Sequence, residues 1–222
     1  MIHYDFSAGY FLDFNKKIND FLFENYDYLS ERVPFDDDKV FVAGGFLPRR
    51  WIGSPLRDID LYVNKDDDNY LQNVIEDYRC LDWTVRETLE KSYDPDGEKR
   101  QKHWIVSKDG EPNIDLIAFH QPKSIDHIDC FDLNIVQYAF TENYFHCPHS
   151  DLFDHLQNRE MYFTGNICMK TFERIVKYTK MGYSMDENLL ANVRNSFVAK
   201  IKEIEQKKRE EAAKTIDEEV PF

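Results

Sequence analysis

Basic side chains are in short supply in this sequence. Its 222 residues include 28 lysines and arginines against 42 aspartates and glutamates, which gives a formal net charge of −14. A protein that holds a long nucleic acid through its phosphates needs a surplus of lysine and arginine to displace counterions. The composition therefore argues against an extended, sequence-independent grip on nucleic acid, and any nucleic-acid acceptor must be held locally.

Long apolar runs are also missing. None approaches the roughly 20 residues that a helix needs to cross a bilayer. Residues 1–5 lack the basic stretch and the apolar run of a signal peptide. We therefore expect a cytoplasmic protein that does not insert into a membrane.

Cysteine is scarce as well, with no CxxC pair among Cys80, Cys130, Cys147 and Cys168. This spacing suggests neither a disulfide framework nor a four-thiolate zinc site, so buried free thiols are the preferred interpretation. His146, Cys147 and His149 have the chemistry of metal ligands. However, Pro148 lies among them, and the segment is predicted as a surface loop.

The periodicity of apolar residues predicts an α+β fold. Strand patterns are found at 39–43, 58–63, 83–89, 102–106 and 113–119, with helical patterns at 11–29, 46–52 and 68–80. After residue 128 the spacing becomes helical, which predicts helices at 131–140, 152–158, 171–181 and 187–213. We expect three units: a sheet-containing domain over 1–122, a small helical domain over 123–185, and a charged helix with an acidic tail over 186–222.

The stretch 41–63 places a glycine pair shortly before two aspartates. Gly44 and Gly45 break a buried strand just ahead of a short helix, where glycine lets backbone N–H groups approach a polyphosphate. Asp58 and Asp60 lie two residues apart on the next strand, so both project from one face. The strand 113–119 supplies a third aspartate, Asp115. Three such carboxylates form the hard-oxygen site that magnesium prefers.

In order and spacing this unit resembles the nucleotidyltransferase superfamily of DNA polymerase β. The signature of that superfamily is a Gly-Gly or Gly-Ser turn, then Asp-x-Asp, then an aspartate on a later strand. The segments 131–139, 151–163 and 174–183 are similar to the head and neck of bacterial poly(A) polymerases and CCA-adding enzymes. The resemblance covers residues 39–183 and departs from the family at Arg50, where the family has aspartate. It implies a polymerase β-type mixed sheet with flanking helices, followed by a helical nucleotide-binding neck.

The resemblance also implies an activity. A nucleotidyltransferase of this type moves a nucleoside monophosphate from an NTP, such as ATP, to an acceptor hydroxyl and releases pyrophosphate. Two magnesium ions would be held by Asp58, Asp60 and Asp115. The implied nucleotide-binding residues are Gly44, Gly45, Arg57, Asp132, Asn134, Arg174 and Lys177. The acceptor stays open between an RNA end, a protein and a small molecule.

Three local clusters of basic residues are candidates for facing the triphosphate, although such clusters are more often solvated surface. They are Arg49, Arg50 and Arg57; Lys99, Arg100, Lys102 and His103; and Arg174, Lys177 and Lys180. The base-reading helix of CCA-adding enzymes carries a Glu-Asp pair where this chain has Lys170 and Thr171. We therefore predict a nucleotide preference other than C and A.

The C-terminal segment 216–222 supports an alternative from another class. Its sequence, Ile-Asp-Glu-Glu-Val-Pro-Phe, resembles the acidic tip of bacterial single-stranded DNA-binding proteins. That resemblance implies a protein partner captured through Val220, Pro221 and Phe222. The alternative is thus a binding or regulatory protein on an inactive nucleotidyltransferase fold, although a frayed acidic tail explains the same residues.

Deleting Val220, Pro221 and Phe222 tests the tail. We expect nucleotide transfer to a small acceptor to be unchanged, because the segment from Thr215 has too few apolar residues to order against the body. Binding to proteins that recognise single-stranded DNA-binding protein tips should weaken. Loss of transfer on deletion would instead assign the tail to the active site or the core.

Overall fold

The computed structural model describes residues 2–6, 16–36, 39–64, 68–90, 101–119, 128–129, 131–164 and 169–185, and scattered positions between 187 and 206. The predicted docking residues Val220, Pro221 and Phe222 lie outside these ranges. So do two basic residues and two cysteines named above, Lys99, Arg100, Cys130 and Cys168.

One mixed sheet organises the described part of the chain. Its strands are β1 (Ile2–Asp5), β2 (Val40–Ala43), β3 (Asp58–Asn64), β4 (Thr84–Glu90), β5 (Gln101–Ser107), β6 (Asn113–Phe119), β7 (Ala139–Phe140) and β8 (Tyr144–Cys147). The order across the sheet is β1-β8-β7-β2-β3-β6-β5-β4. Strands β3 and β6 run parallel, and every other neighbouring pair described is antiparallel.

Helices flank this sheet. They are α1 (Lys16–Ser30), α2 (Phe46–Trp51), α3 (Asp68–Cys80), α4 (Leu152–Asn158) and α5 (Met169–Lys180), with a 3-10 turn at Asn134–Val136. Alternation along β3 separates its two faces, because successive strand residues point in opposite directions. Ile59, Leu61 and Val63 join the main core with the buried side chains of α1 and α3, whereas Tyr62 belongs to a separate apolar cluster. The aspartates Asp58 and Asp60 share the face of Tyr62. No described helix is both long enough and apolar enough to cross a membrane.

The predicted α+β class, a mixed sheet with flanking helices, is confirmed. Two local predictions were wrong. Residues 131–140, predicted as a helix, form the 3-10 turn and β7, and residues 146–147, predicted as surface loop, form the buried end of β8. Residues 132–140 are buried throughout, and a segment buried on all sides carries no period that separates helix from strand. The segment predicted as the helical neck thus adds two strands to the sheet, and the proposed domain boundary stays a prediction.

A buried tyrosine that follows the 3-10 turn fixes the glycine pair. The Tyr138 hydroxyl accepts a hydrogen bond from the Leu47 N–H at 2.8 Å and donates one to the Gly44 carbonyl at 3.0 Å. Burial raises the pKa of Tyr138 well above its ordinary value, so the hydroxyl keeps its proton. Tyr183 adds a hydrogen bond to the Pro48 carbonyl at 3.2 Å. Residues late in the chain therefore hold α2 and the turn before it.

We predict that Tyr138→Phe lowers the free energy of unfolding by about 1–3 kcal/mol, because it leaves the Leu47 N–H and the Gly44 carbonyl buried without this partner. Urea denaturation followed by circular dichroism measures the change. Tyr183→Phe is the matched control, since it loses one hydrogen bond instead of two and should cost less. Equal stability of Tyr138→Phe and the wild type would contradict the prediction.

Candidate active site

Strand register brings the three aspartates together. Asp60 on β3 lies directly beside Asp115 on β6 in the parallel ladder. Neighbouring strands are about 4.8 Å apart, and paired residues project from the same face. Asp58 lies two residues before Asp60 and shares that face. The structure therefore sets three carboxylates side by side on the sheet face opposite α1 and α3.

The electrostatics of Asp60 reflect this crowding. Burial first, and then the charges of Asp58 and Asp115, raise the pKa of Asp60 to about 6. The Gly45 N–H, which donates to Asp60 Oδ2 at 3.3 Å, and the charge of Lys177 offset part of the rise. An ionised Asp60 is therefore destabilised at neutral pH, and a bound cation would relieve the repulsion.

The glycine pair positions Asp60. Gly44 adopts φ +78°, in the left-handed region, and a side-chain carbon there would collide with the Asp60 carboxylate. The Gly45 N–H is bonded to Asp60 and the Leu47 N–H to Tyr138, while Pro48 has no N–H. Most backbone donors at the start of α2 are therefore already used, and the turn offers a phosphate fewer of them than its sequence predicted.

Cationic side chains meet beside Gly45. A Cβ built on Gly45 would lie 3.5 Å from Lys177 Nζ and 4.0 Å from Arg49 Nε. Arg49 is buried, and its Nε has no protein partner among the residues that the structure describes. Burial lowers the pKa of Lys177, with Arg49 and Arg174 adding to the decrease, while Asp58 and Asp60 oppose it. This group of cations is suited to an anionic ligand.

Arg49 was grouped with its basic neighbours in the sequence but was not singled out. The signal that could have identified it is its position four residues after Gly45, which places it above the glycine pair on one side of α2. Its neighbour Arg50 points elsewhere, donating to Asn25 Oδ1 at 2.6 Å and to Glu24 Oε1 at 3.1 Å.

Arg57 does not join the cations near Gly45 in any described contact. It directly precedes Asp58, so its strand parity is opposite to that of the two aspartates. It is exposed and lines a cavity of about 680 Å³ with Arg50, Tyr28 and Asn113. Its predicted role in nucleotide binding stays a prediction, whereas Gly44, Gly45 and Lys177 lie beside the aspartates.

Asp132 and Asn134 form a buried polar pair next to α5. Asp132 Oδ1 accepts a hydrogen bond from Arg174 at 2.8 Å, and Asn134 Oδ1 accepts one from the Tyr162 N–H at 2.8 Å. Their remaining polar atoms, Asp132 Oδ2 and Asn134 Nδ2, are buried with no hydrogen-bond partner among the described residues. Unpaired buried polar groups are costly, so these atoms are available to a ligand.

The donor set of the aspartates suits a hard divalent cation. Within the described ranges, no three carboxylate, imidazole or thiolate groups are arranged as a ready-made metal site. Nevertheless, burial and the charges of Asp58 and Asp115 raise the pKa of Asp60, and a bound cation would offset the repulsion among the three carboxylates. Metal binding by Asp58, Asp60 and Asp115 therefore stays a prediction, and the residues present fit it.

The fold is shared with solved CCA-adding enzymes. The Thermotoga maritima enzyme complexed with tRNA superposes with a TM-score of 0.50 at 14% identity, covering 88% of this chain and 45% of that one. A CCA-adding enzyme in apo form gives 0.51 at 15%, covering 90% and 47%. One complexed with ATP gives 0.51 at 15%, covering 88% and 46%. At these identities the likeness shows the fold alone, and the chain spans about half the length of these enzymes.

Sequence comparisons give a different kind of match. No curated protein matches this chain. The model of the Gabija anti-defense 2 family matches residues 12–159, which is more than half of the chain. The matched range contains α2, the glycine pair and all three aspartates.

We predict that Asp60→Asn stabilises the protein in a metal chelator by about 1–2 kcal/mol at neutral pH. The pKa of Asp60 is raised from 3.8 in the unfolded chain to about 6 in the folded chain. Ionisation of Asp60 therefore destabilises the fold as pH rises between these two pKa values, and the loss of stability is complete above pH of about 6. Thermal unfolding with and without magnesium measures the effect. Asp154→Asn, at an exposed position on α4, should change little; an Asp60→Asn variant less stable than the wild type would contradict the account.

Proposed function

The chain belongs to the Gabija anti-defense 2 family, and we propose that it acts there as a metal-dependent nucleotidyltransferase. It would transfer a nucleoside monophosphate from an NTP to a hydroxyl group, releasing pyrophosphate. The observation that carries the proposal is the juxtaposition at Gly45: three carboxylates on one side, and Lys177 and Arg49 on the other.

The two sides match the two needs of the reaction. Lys177 and Arg49 hold the β and γ phosphates and neutralise the charge that grows on the leaving pyrophosphate. Two magnesium ions held by Asp58, Asp60 and Asp115 would, when bound, activate the acceptor hydroxyl and balance phosphate charge. The Gly45 N–H keeps Asp60 turned toward this position.

The nucleoside lies toward α5 in this proposal. Asp132 Oδ2 accepts and Asn134 Nδ2 donates hydrogen bonds, and both atoms are buried without a hydrogen-bond partner among the described residues. Arg174 links them to the phosphate side, because it bonds Asp132 and lies one helical turn from Lys177. Lys170 and Thr171 stand in place of the Glu-Asp pair, so the enzyme selects a nucleotide by a different set of contacts from CCA-adding enzymes.

The acceptor follows from charge and from the family. A net charge of −14 does not favour a tRNA held along its backbone. The family is named for acting against the Gabija defence. The proposed acceptor is therefore a hydroxyl on a component of that defence, on a short RNA end or on a small molecule.

Label transfer tests this proposal. The purified full chain is incubated with magnesium, purified Gabija proteins and each NTP labelled at the α phosphate. We expect one product to carry label, and no label to transfer from the γ position. Asp58→Asn should lower the rate by about 100- to 1,000-fold, as expected when a group stabilising transition-state charge is lost; the matched Asp154→Asn should not. Ordered addition of C, C and A to tRNA would contradict the predicted nucleotide preference.

An experiment in cells distinguishes the enzyme from the alternative, a binding protein on an inactive fold. The resemblance of segment 216–222 to the acidic tip of single-stranded DNA-binding proteins is the observation that favours this alternative. Cells that carry the Gabija defence and produce the wild type, Asp58→Asn or Asp154→Asn are exposed to the agent against which that defence acts. If Asp58→Asn counteracts the defence as well as the wild type does, catalysis is not required and the binding alternative replaces the enzyme.

A further inference from the structure

His103 lies on the same sheet face as the aspartates. In the antiparallel ladder between β5 and β6, Ile105 is opposite Asp115 and His103 is opposite Ile117. His103 is therefore the diagonal neighbour of Asp115 on one face. The side chain is buried, with 6% of the residue exposed. The sequence grouped His103 with neighbouring basic residues, and only the strand register shows that it lies beside Asp115.

The imidazole stands between two polar groups. Its Nδ1 is 3.0 Å from Thr88 Oγ1, on the residue directly opposite in β4. On the other side, its Nε2 is 3.7 Å from Asp115 Oδ1. Thr88, His103 and Asp115 thus form a row of three polar groups that runs across β4, β5 and β6.

The position of the imidazole proton decides which ring nitrogen of His103 can donate to Asp115. Thr88 Oγ1 has two acceptors in reach, Nδ1 at 3.0 Å and the His103 carbonyl at 3.4 Å. With Nδ1 as the acceptor, the ring proton is on Nε2, facing Asp115. A neutral N–H donor holds a carboxylate without cancelling its charge, whereas a lysine or arginine would cancel it. Such a neutral donor leaves the charge of a carboxylate available to a cation.

The distance between His103 and Asp115 fits a contact that shortens when a ligand binds. At 3.7 Å the Nε2 and Oδ1 atoms are too far apart for a hydrogen bond, which needs about 2.7–3.2 Å. Contacts around catalytic groups are often long before substrate binds. The Asp115 side chain is 28% exposed, whereas the imidazole is buried and contacts Thr88 on its other side.

We propose that His103 is a positioning residue: supported by Thr88, it orients the Asp115 carboxylate so that one oxygen bonds to Nε2 and the other faces the cation. This inference rests on the proposed function, because it assigns His103 a role through a predicted metal ligand. The same arrangement of an outer donor behind a metal-binding group is a general way of fixing ligand geometry.

The test measures binding of Mn²⁺ alone to the full chain by electron paramagnetic resonance. His103→Leu should weaken binding by about 10- to 100-fold, the usual effect of losing an outer partner of a metal ligand. His103→Gln, whose amide nitrogen can replace Nε2, should restore most of the affinity. Thr88→Val removes only the supporting hydroxyl and should give a smaller loss. In an Asp115→Asn background, His103→Leu should cause no further loss.

Two results would overturn the proposal: wild-type Mn²⁺ affinity in His103→Leu, or an equal loss with and without the Asp115 carboxylate. Near-ultraviolet circular dichroism checks that each variant is folded. If His103→Leu does not fold, the Mn²⁺ affinities of Thr88→Val and His103→Gln test the proposal instead. Wild-type affinity in Thr88→Val then counts against it. Mn²⁺ binding that neither Asp58→Asn nor Asp60→Asn changes would refute the proposed function itself, a result distinct from insensitivity to His103 alone.

Discussion

The parallel pairing of β3 with β6 is the constraint on which the site depends. It places Asp60 beside Asp115 and fixes both on the face that carries Asp58. The cost of this arrangement is visible at Asp60, whose pKa is raised to about 6 by burial and by its two neighbours. The sheet, which is held by its own core and hydrogen bonds, keeps the carboxylates close despite their repulsion.

The rest of the site compensates for that repulsion. The Gly45 N–H and the charge of Lys177 act on Asp60 directly. Partial burial lowers the pKa of Lys177, and the nearby charges of Arg49 and Arg174 add to the decrease. A magnesium–triphosphate complex would bring positive charge to the carboxylates and negative charge to the cations, which is the physical reasoning behind the proposed nucleotidyl transfer.

Long-range contacts join the two halves. The Tyr138 hydroxyl bonds both the glycine turn and α2, and Tyr183 bonds α2 a second time. Lys177 comes from α5, far along the chain from Asp58 and Asp60, whose charges act on it. A ligand between the carboxylates and α5 would therefore touch both early and late segments of the chain.

Local pattern in the sequence determined several of these features. The two-residue period of a strand puts Asp58 and Asp60 on one face, and a turn so close to Asp60 requires the glycine at position 44. Pairing between distant segments decided the rest: the position of Asp115 beside Asp60, the position of His103 beside Asp115 and the approach of Lys177 to Gly45. Residues 132–140 show why, since a segment buried on all sides has no period to distinguish helix from strand. The sequence determined which residues share a face within one element, whereas only tertiary structure decided which faces meet, because strand register and helix docking are set by contacts between segments far apart in the chain.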